Sequence, residues 1–92
     1  MQEGVVYHDE VNDRFFLSVE GKESVIDYRK ENGMLDIYHT YVPEELRGHG
    51  IASQLVKKVL DYASEQDFRV KPTCPFVASF IQRHEEYNSL VA

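Results

Sequence analysis

The chain has little cysteine, no surplus of basic charge and no long apolar run, and each shortage removes a class of protein. A single cysteine, Cys74, among 92 residues excludes an intramolecular disulfide and a cysteine-rich metal site. A net charge of −6 lacks the cation excess that holds proteins on nucleic-acid phosphates, so no nucleic-acid partner is expected. No stretch approaches the roughly 20 apolar residues of a membrane-crossing helix, and no membrane partner is expected. Met1-Gln2-Glu3-Gly4 carries neither a basic segment nor an apolar run, so a secretory leader is not expected and a reducing, cytoplasmic setting is the default. His8 and His84 have no ligand spacing with each other or with Cys74, and no metal is expected. Repeats, low-complexity stretches and linkers are missing too. With 42% hydrophobic and 28% charged residues, the chain suits one compact domain over residues 1–92 with a modest core.

The first half reads as strands. Val5–Asp9 is short, and Asn12-Asp13 supplies turn chemistry after it. Arg14–Glu20 alternates, with Phe15, Leu17 and Val19 on one side. Gly21-Lys22 reads as a tight turn into Glu23–Lys30, and Asn32-Gly33 is a hairpin signal ahead of Met34–Val42. Alternation over that last strand puts Leu35, Ile37, His39 and Tyr41 on one face and Asp36, Tyr38, Thr40 and Val42 on the other. The pattern then changes. Ile51, Ala52, Leu55, Val56, Val59, Leu60 and Ala63 form one apolar face of a helix over about Ile51–Gln66. Phe68–Lys71 reads as a further strand, stopped by Pro72, and Pro75 opens a last helix carrying Val77, Phe80, Ile81 and His84. Strand, helix and strand in series imply a right-handed crossover that makes Phe68–Lys71 parallel to Met34–Val42.

The chemistry-bearing stretch is Val42-Pro43-Glu44-Glu45-Leu46-Arg47-Gly48-His49-Gly50-Ile51-Ala52, a strand leading through a glycine turn into a helix. First-turn amides lack intrahelical partners and sit at the positive end of the helix dipole, which makes a site for phosphate. Arg47 adds a charged fork. Neither a G-x-x-x-x-G-K-[ST] loop nor a G-x-G-x-x-G fingerprint is present. Two glycines also shape a plain connection, so spacing alone leaves anion binding and bare architecture both open.

This run resembles the acetyl-CoA-binding motif Q/R-x-x-G-x-G/A of the GNAT superfamily of N-acetyltransferases. Arg47, Gly50 and Ala52 take its defined positions, Gly48 matches the common R-G-x-G form, and His49 falls at the variable position. Pro72-Thr73-Cys74-Pro75-Phe76-Val77, ending near Arg83–Tyr87, resembles a short branch of that superfamily, and the likeness runs from about Phe15 to Leu90. The resemblance implies an α+β, GNAT-like fold: a mostly antiparallel sheet of about five strands, a strand–helix–strand crossover and a C-terminal helix. It implies acetyl-CoA as co-substrate and an amine of a small molecule or protein as acceptor. By the same resemblance, backbone groups at Thr40 and Val42 pair with the pantetheine arm. Amides of Arg47, Gly48, His49, Gly50, Ile51 and Ala52 bind the pyrophosphate. The fourth and fifth strands splay apart, and Cys74 falls near the thioester.

One departure bears on catalysis. The family's N-x-x-A-x-x-x-Y, aligned on Ala78, finds Pro75 for the asparagine and Gln82 for the proton-donating tyrosine. A non-catalytic CoA- or acyl-CoA-binding module is therefore the alternative to an N-acetyltransferase. Cys74 is the leading chemical candidate, as proton donor to the CoA thiolate or as acetyl-accepting nucleophile, against an ordinary role as a small buried hydrophobe. His39 is the second candidate, as general base for the amine, against a hydrogen-bonded core histidine. Arg83 and His84 reach the adenine end of CoA if the last helix flanks the cleft. An exposed edge strand in so small a sheet suits a monomer or a weak homodimer.

Overall fold

A computed structural model describes residues 3–92; Met1 and Gln2, half of the segment read above for a leader, lie outside them. Turn chemistry organises the first half of the chain. Strands β1 (Tyr7–Asp9), β2 (Arg14–Val19), β3 (Lys22–Glu31) and β4 (Met34–Tyr41) run antiparallel in sequence order. The β3–β4 turn is Asn32-Gly33, as the dipeptide predicts. The β2–β3 turn is Glu20-Gly21, one residue earlier than expected, and Lys22 already pairs with Val19. In both turns the two central residues have positive φ, the geometry whose twist matches the flanking strands.

Helix α1 (Ile51–Glu65) then crosses over to β5 (Arg69–Lys71), which lies parallel to β4 with Met34, Leu35 and Asp36 opposite Arg69, Val70 and Lys71. Helix α2 (Pro75–Arg83) follows, and the chain returns so that Val91 bridges Val70 in parallel. The fold is thus the expected α+β arrangement of five mostly antiparallel strands with a crossover and a C-terminal helix. The apolar face of α1 carries Leu55, Val56, Val59, Leu60 and Ala63 onto Leu17, Ile26, Leu35 and Ile37, all without exposed surface. Val77, Phe80 and Ile81 of α2 join the same core. Burying each such aliphatic chain contributes about 1.5–3 kcal/mol.

The register of β4 differs from simple alternation. Asp27 pairs with His39 but Tyr28 pairs with Ile37, so Tyr38 is an extra residue on β4. This bulge reverses the parity of everything after it. Thr40 turns to the core side with Ile26, whereas His39 and Tyr41 turn to the opposite face with Asp27 and Val25. The expected sharing of one face by Leu35, Ile37, His39 and Tyr41 therefore holds only for the first pair.

Candidate functional site

Parallel pairing between β4 and β5 stops at Asp36 and Lys71. Pro72 has no N–H to continue it. The chain leaves the sheet there, and Cys74 N–H donates to the Ile37 carbonyl at 2.9 Å before Pro75 starts α2. Beyond Ile37 the edge of β4 has no strand neighbour among the described residues, and a cleft opens beside it.

The cleft, about 450 Å³, is walled by Thr40, Tyr41 and Val42 of the β4 edge, by Leu46, Arg47, Gly48 and Gly50 of the connection, and by Ile51, Ala52 and Ser53 of α1. Phe76 from the first turn of α2 closes the far side. Gly50 caps α1 in the left-handed region (φ 75°), and no side chain caps the helix. The first intrahelical bond is Gln54 N–H to the Gly50 carbonyl, which leaves the amides of Ile51, Ala52 and Ser53 without helical partners. A Cβ built on Gly48 or Gly50 meets no atom within 4 Å, so both backbones border open space.

The motif residues are thus brought together with one exception. Thr40, Val42, Arg47, Gly48, Gly50, Ile51 and Ala52 all line the cleft, whereas His49 does not and is exposed. Arg47 points its Nε at the Val42 carbonyl (2.9 Å), so that acceptor is already engaged by the protein. Tyr41, Leu46, Ser53 and Phe76 join the lining without having been singled out in the sequence. Phe76 lies off the Val77–Phe80–Ile81 stripe, and that spacing is the sequence signal that sets it outside the core.

Cys74 is buried behind the cleft wall with 7% of its surface exposed, and its Sγ lies 3.5 Å from Thr40 Oγ1. As the N-cap of α2 it sits at the positive end of that helix. His39 belongs to the other side of the sheet. Its Nδ1 donates to Asp27 Oδ2 at 2.8 Å, and Arg14 Nε donates to Asp27 Oδ1 at 2.8 Å. The structure therefore separates the two chemical candidates by the thickness of β4 rather than placing them on one surface. A second recess, about 290 Å³, continues from the shared Gly50 and Ser53 to Lys57, Phe80, His84, Glu86 and Tyr87. His84 lines it, with Nδ1 donating to the Phe80 carbonyl, and Arg83 does not. Among the described residues no group of three or more His, Cys, Asp or Glu side chains converges, and no helix is long and apolar enough to cross a membrane.

These features define an α+β domain with a cleft at a splayed parallel strand pair, and comparison with known proteins gives the class a name. The sequence model of the GCN5-related N-acetyltransferase family matches residues 14–90, and the chain belongs to that family. It is 31% identical over 87 residues to protein NATD1 of Danio rerio, covering 89% of this chain and 79% of that one. NATD1 of Bos taurus is 39% identical over 51 residues, covering 55% of this chain. That match spans 45% of the bovine protein, so the similar region is about half the length of such relatives. The solution structure of a GCN5-like protein from Staphylococcus aureus superposes with a TM-score of 0.78, covering 100% of this chain and 91% of the other at 24% identity, and shares the fold.

Proposed function

We propose that residues 1–92 form one domain that binds acetyl-CoA in the β4–α1 cleft and transfers the acetyl group to an amine of a small molecule or protein. The observation that carries the reading is one cleft bordered both by three helix amides that have no helical partner and by Thr40, whose hydroxyl meets the Cys74 thiol behind the wall. The residues fit the group. Gly48 and Gly50 leave their approach open, the amides of Ile51, Ala52 and Ser53 supply donors at a helix N-terminus, and Arg47 supplies charge. Phe76 and Val42 give the cleft apolar walls for an uncharged arm, and the second recess, with Lys57 and His84, suits its adenosine end. When bound, acetyl-CoA supplies an activated thioester.

The protein's own part is divided across β4. Thr40 holds the Cys74 thiol at the cleft wall, and the positive end of α2 favours negative charge developing beside it. Cys74 serves there as proton donor to sulfur or as acceptor of the acetyl group, and His39 serves as base for the amine. The proposed setting is cytoplasmic, with the chain a monomer or weak homodimer. A second reading, a CoA-binding module without turnover, is favoured by one observation: Gln82, at the place of the family's tyrosine, is exposed on α2.

Intact-mass measurement after incubation with acetyl-CoA separates these readings. A nucleophilic Cys74 gives one acetyl adduct on that residue, released by hydroxylamine, whereas a proton-donating Cys74 gives none and supports turnover. Cys74→Ser should retain acetyl-CoA binding and lose transfer in either role. Wild-type transfer by that variant, with no adduct in the parent, removes Cys74 from the chemistry. Binding without CoA release against any amine selects the non-catalytic module.

A further inference from the structure

Both helices pack against one face of the sheet, and among the described residues no helix covers the other. Cross-strand partners share a face, so the register orders the side chains there into rows. Asp9, Arg14, Asp27 and His39 form one row across β1 to β4. Tyr7, Phe16, Val25 and Tyr41 form the next. A polar row thus runs beside an apolar one, and both end on β4 at the edge where the cleft opens. Tyr41 lines that cleft, and Thr40, between the two row ends, reaches through to Cys74. The open face and the thiol meet at this one edge.

The polar row is built rather than incidental. Asp27 is 7% exposed, and each of its carboxylate oxygens accepts one charge-assisted bond, Oδ1 from Arg14 and Oδ2 from His39. The His39 side chain beyond is 51% exposed. A carboxylate on Nδ1 fixes the ring tautomer and leaves the Nε2 lone pair directed away from it, and Nε2 has no protein partner among the described residues. Arg14 holds the carboxylate from the side opposite the imidazole and so fixes the plane in which the ring is held. A buried carboxylate needs partners wherever it sits, but pairing in the sheet does not need an exposed imidazole as one of them.

We propose that Asp27, held by Arg14, positions His39 to take the proton of the acceptor amine, and that this amine arrives over the face of the sheet that the helices leave uncovered. The inference rests on the acetyl-transfer reading above and supplies its acceptor side. The ammonium group meets the end of the polar row, and its aliphatic stem lies along Phe16 and Tyr41, which flank the buried Val25. His39 Nε2 accepts one proton from the ammonium and passes it to solvent. The freed nitrogen lone pair forms the C–N bond at the acetyl carbonyl, the C–S bond breaks, and the second proton on nitrogen leaves with sulfur as the thiol. Ammonium and thioester become amide, thiol and one proton, and no other reactant is needed. The bulge at Tyr38 makes the arrangement possible, because without it His39 would face the core and Thr40 would face away from Cys74.

Long-range proton–nitrogen spectra of the 15N-labelled protein test the geometry without any ligand. Neutral His39 should be protonated on Nδ1, and Asp27→Asn should move the proton wholly or partly to Nε2. A wild-type ring protonated on Nε2 overturns the proposal. The kinetic arm follows CoA thiol release with butylamine as acceptor. Asp27→Asn should lower kcat roughly tenfold to a hundredfold with KM for acetyl-CoA unchanged. His39→Asn, at an exposed side chain, should lose a similar factor, and the double variant should lose no more than the larger single loss. Additive losses, or wild-type kcat in a folded Asp27→Asn, would assign Asp27 to the architecture alone. Acetyl-CoA that binds without butylamine turnover overturns the acceptor side only, whereas acetyl-CoA that does not bind removes the transfer reading itself.

Discussion

His8 lies flat on Phe15, with ring centroids 3.9 Å apart, meets Tyr62 edge-on, and shares a hydrogen bond with the Tyr28 hydroxyl. Burial among these rings disfavours its charged form and lowers its pKa from 6.5, with Lys30 adding to the effect while Glu10, Asp13 and Asp9 oppose it. Between the lowered native value and 6.5 the unfolded chain binds more protons than the folded one. Stability from this group is therefore complete above pH 6.5 and is lost as pH falls through the native value. His8→Phe keeps the stack and removes the titration. Thermal melts from pH 7 down to pH 5 should show wild type losing stability relative to His8→Phe over this window. Parallel curves for the two proteins would show that the ring stack does not select the neutral imidazole.

At the scale of elements, the connection between β4 and α1 carries the decisive constraint. Gly50 is the N-cap of α1 with φ at 75°, a region that costs a residue with Cβ about 1–2 kcal/mol. Its added methyl would touch nothing in the protein, because a Cβ there meets open space. Gly50→Ala should thus destabilise by about that backbone strain while leaving the fold intact. The methyl enters the cleft itself, so acetyl-CoA affinity measured on the folded variant should fall at least tenfold, which calorimetry reads directly. Unchanged affinity would mean that the glycine serves the turn and not a ligand. This element was legible in the sequence, because strand, glycine turn and helix follow each other in the chain and their local chemistry fixes the shape. The hairpin at Asn32-Gly33 and the crossover to β5 were legible for the same reason. The rows on the open face were not. Leu35, Ile37, His39 and Tyr41 keep an even spacing, and an inserted Tyr38 looks like any other member of an alternating strand. The bulge is set by pairing with β3, a contact between residues distant in sequence, and with it went the side of the sheet on which His39 and Thr40 lie. Asp27 was missed on the same ground, since its importance comes from Arg14 and His39 on two neighbouring strands.

At the scale of the whole molecule, one core couples every element that borders the cleft. Leu46 and Ile51 belong to both the core and the cleft wall, and Cys74 packs in that core while touching Thr40. The radius of gyration, 12.6 Å, is close to the roughly 12 Å of a well-packed chain of this length. A cleft built from the core rather than from an appended loop cannot be occupied without stabilising the whole fold. A chain of this size is expected to unfold in a single transition, so ligand energy should appear in full as a shift of that transition. Free acetyl-CoA at about 100 times its Kd adds about 2.7 kcal/mol. With about 4–8 °C of Tm per kcal/mol for a domain of this size, the midpoint should rise by roughly 10–20 °C. Scanning calorimetry over a series of acetyl-CoA concentrations should show one transition moving upward with the logarithm of concentration. Gly50→Ala should shift less at each concentration than wild type does, measured from its own ligand-free midpoint. A midpoint that stays fixed up to millimolar acetyl-CoA would remove the cleft as its binding site, and a transition that splits in two would show that the cleft and the core are not one cooperative unit.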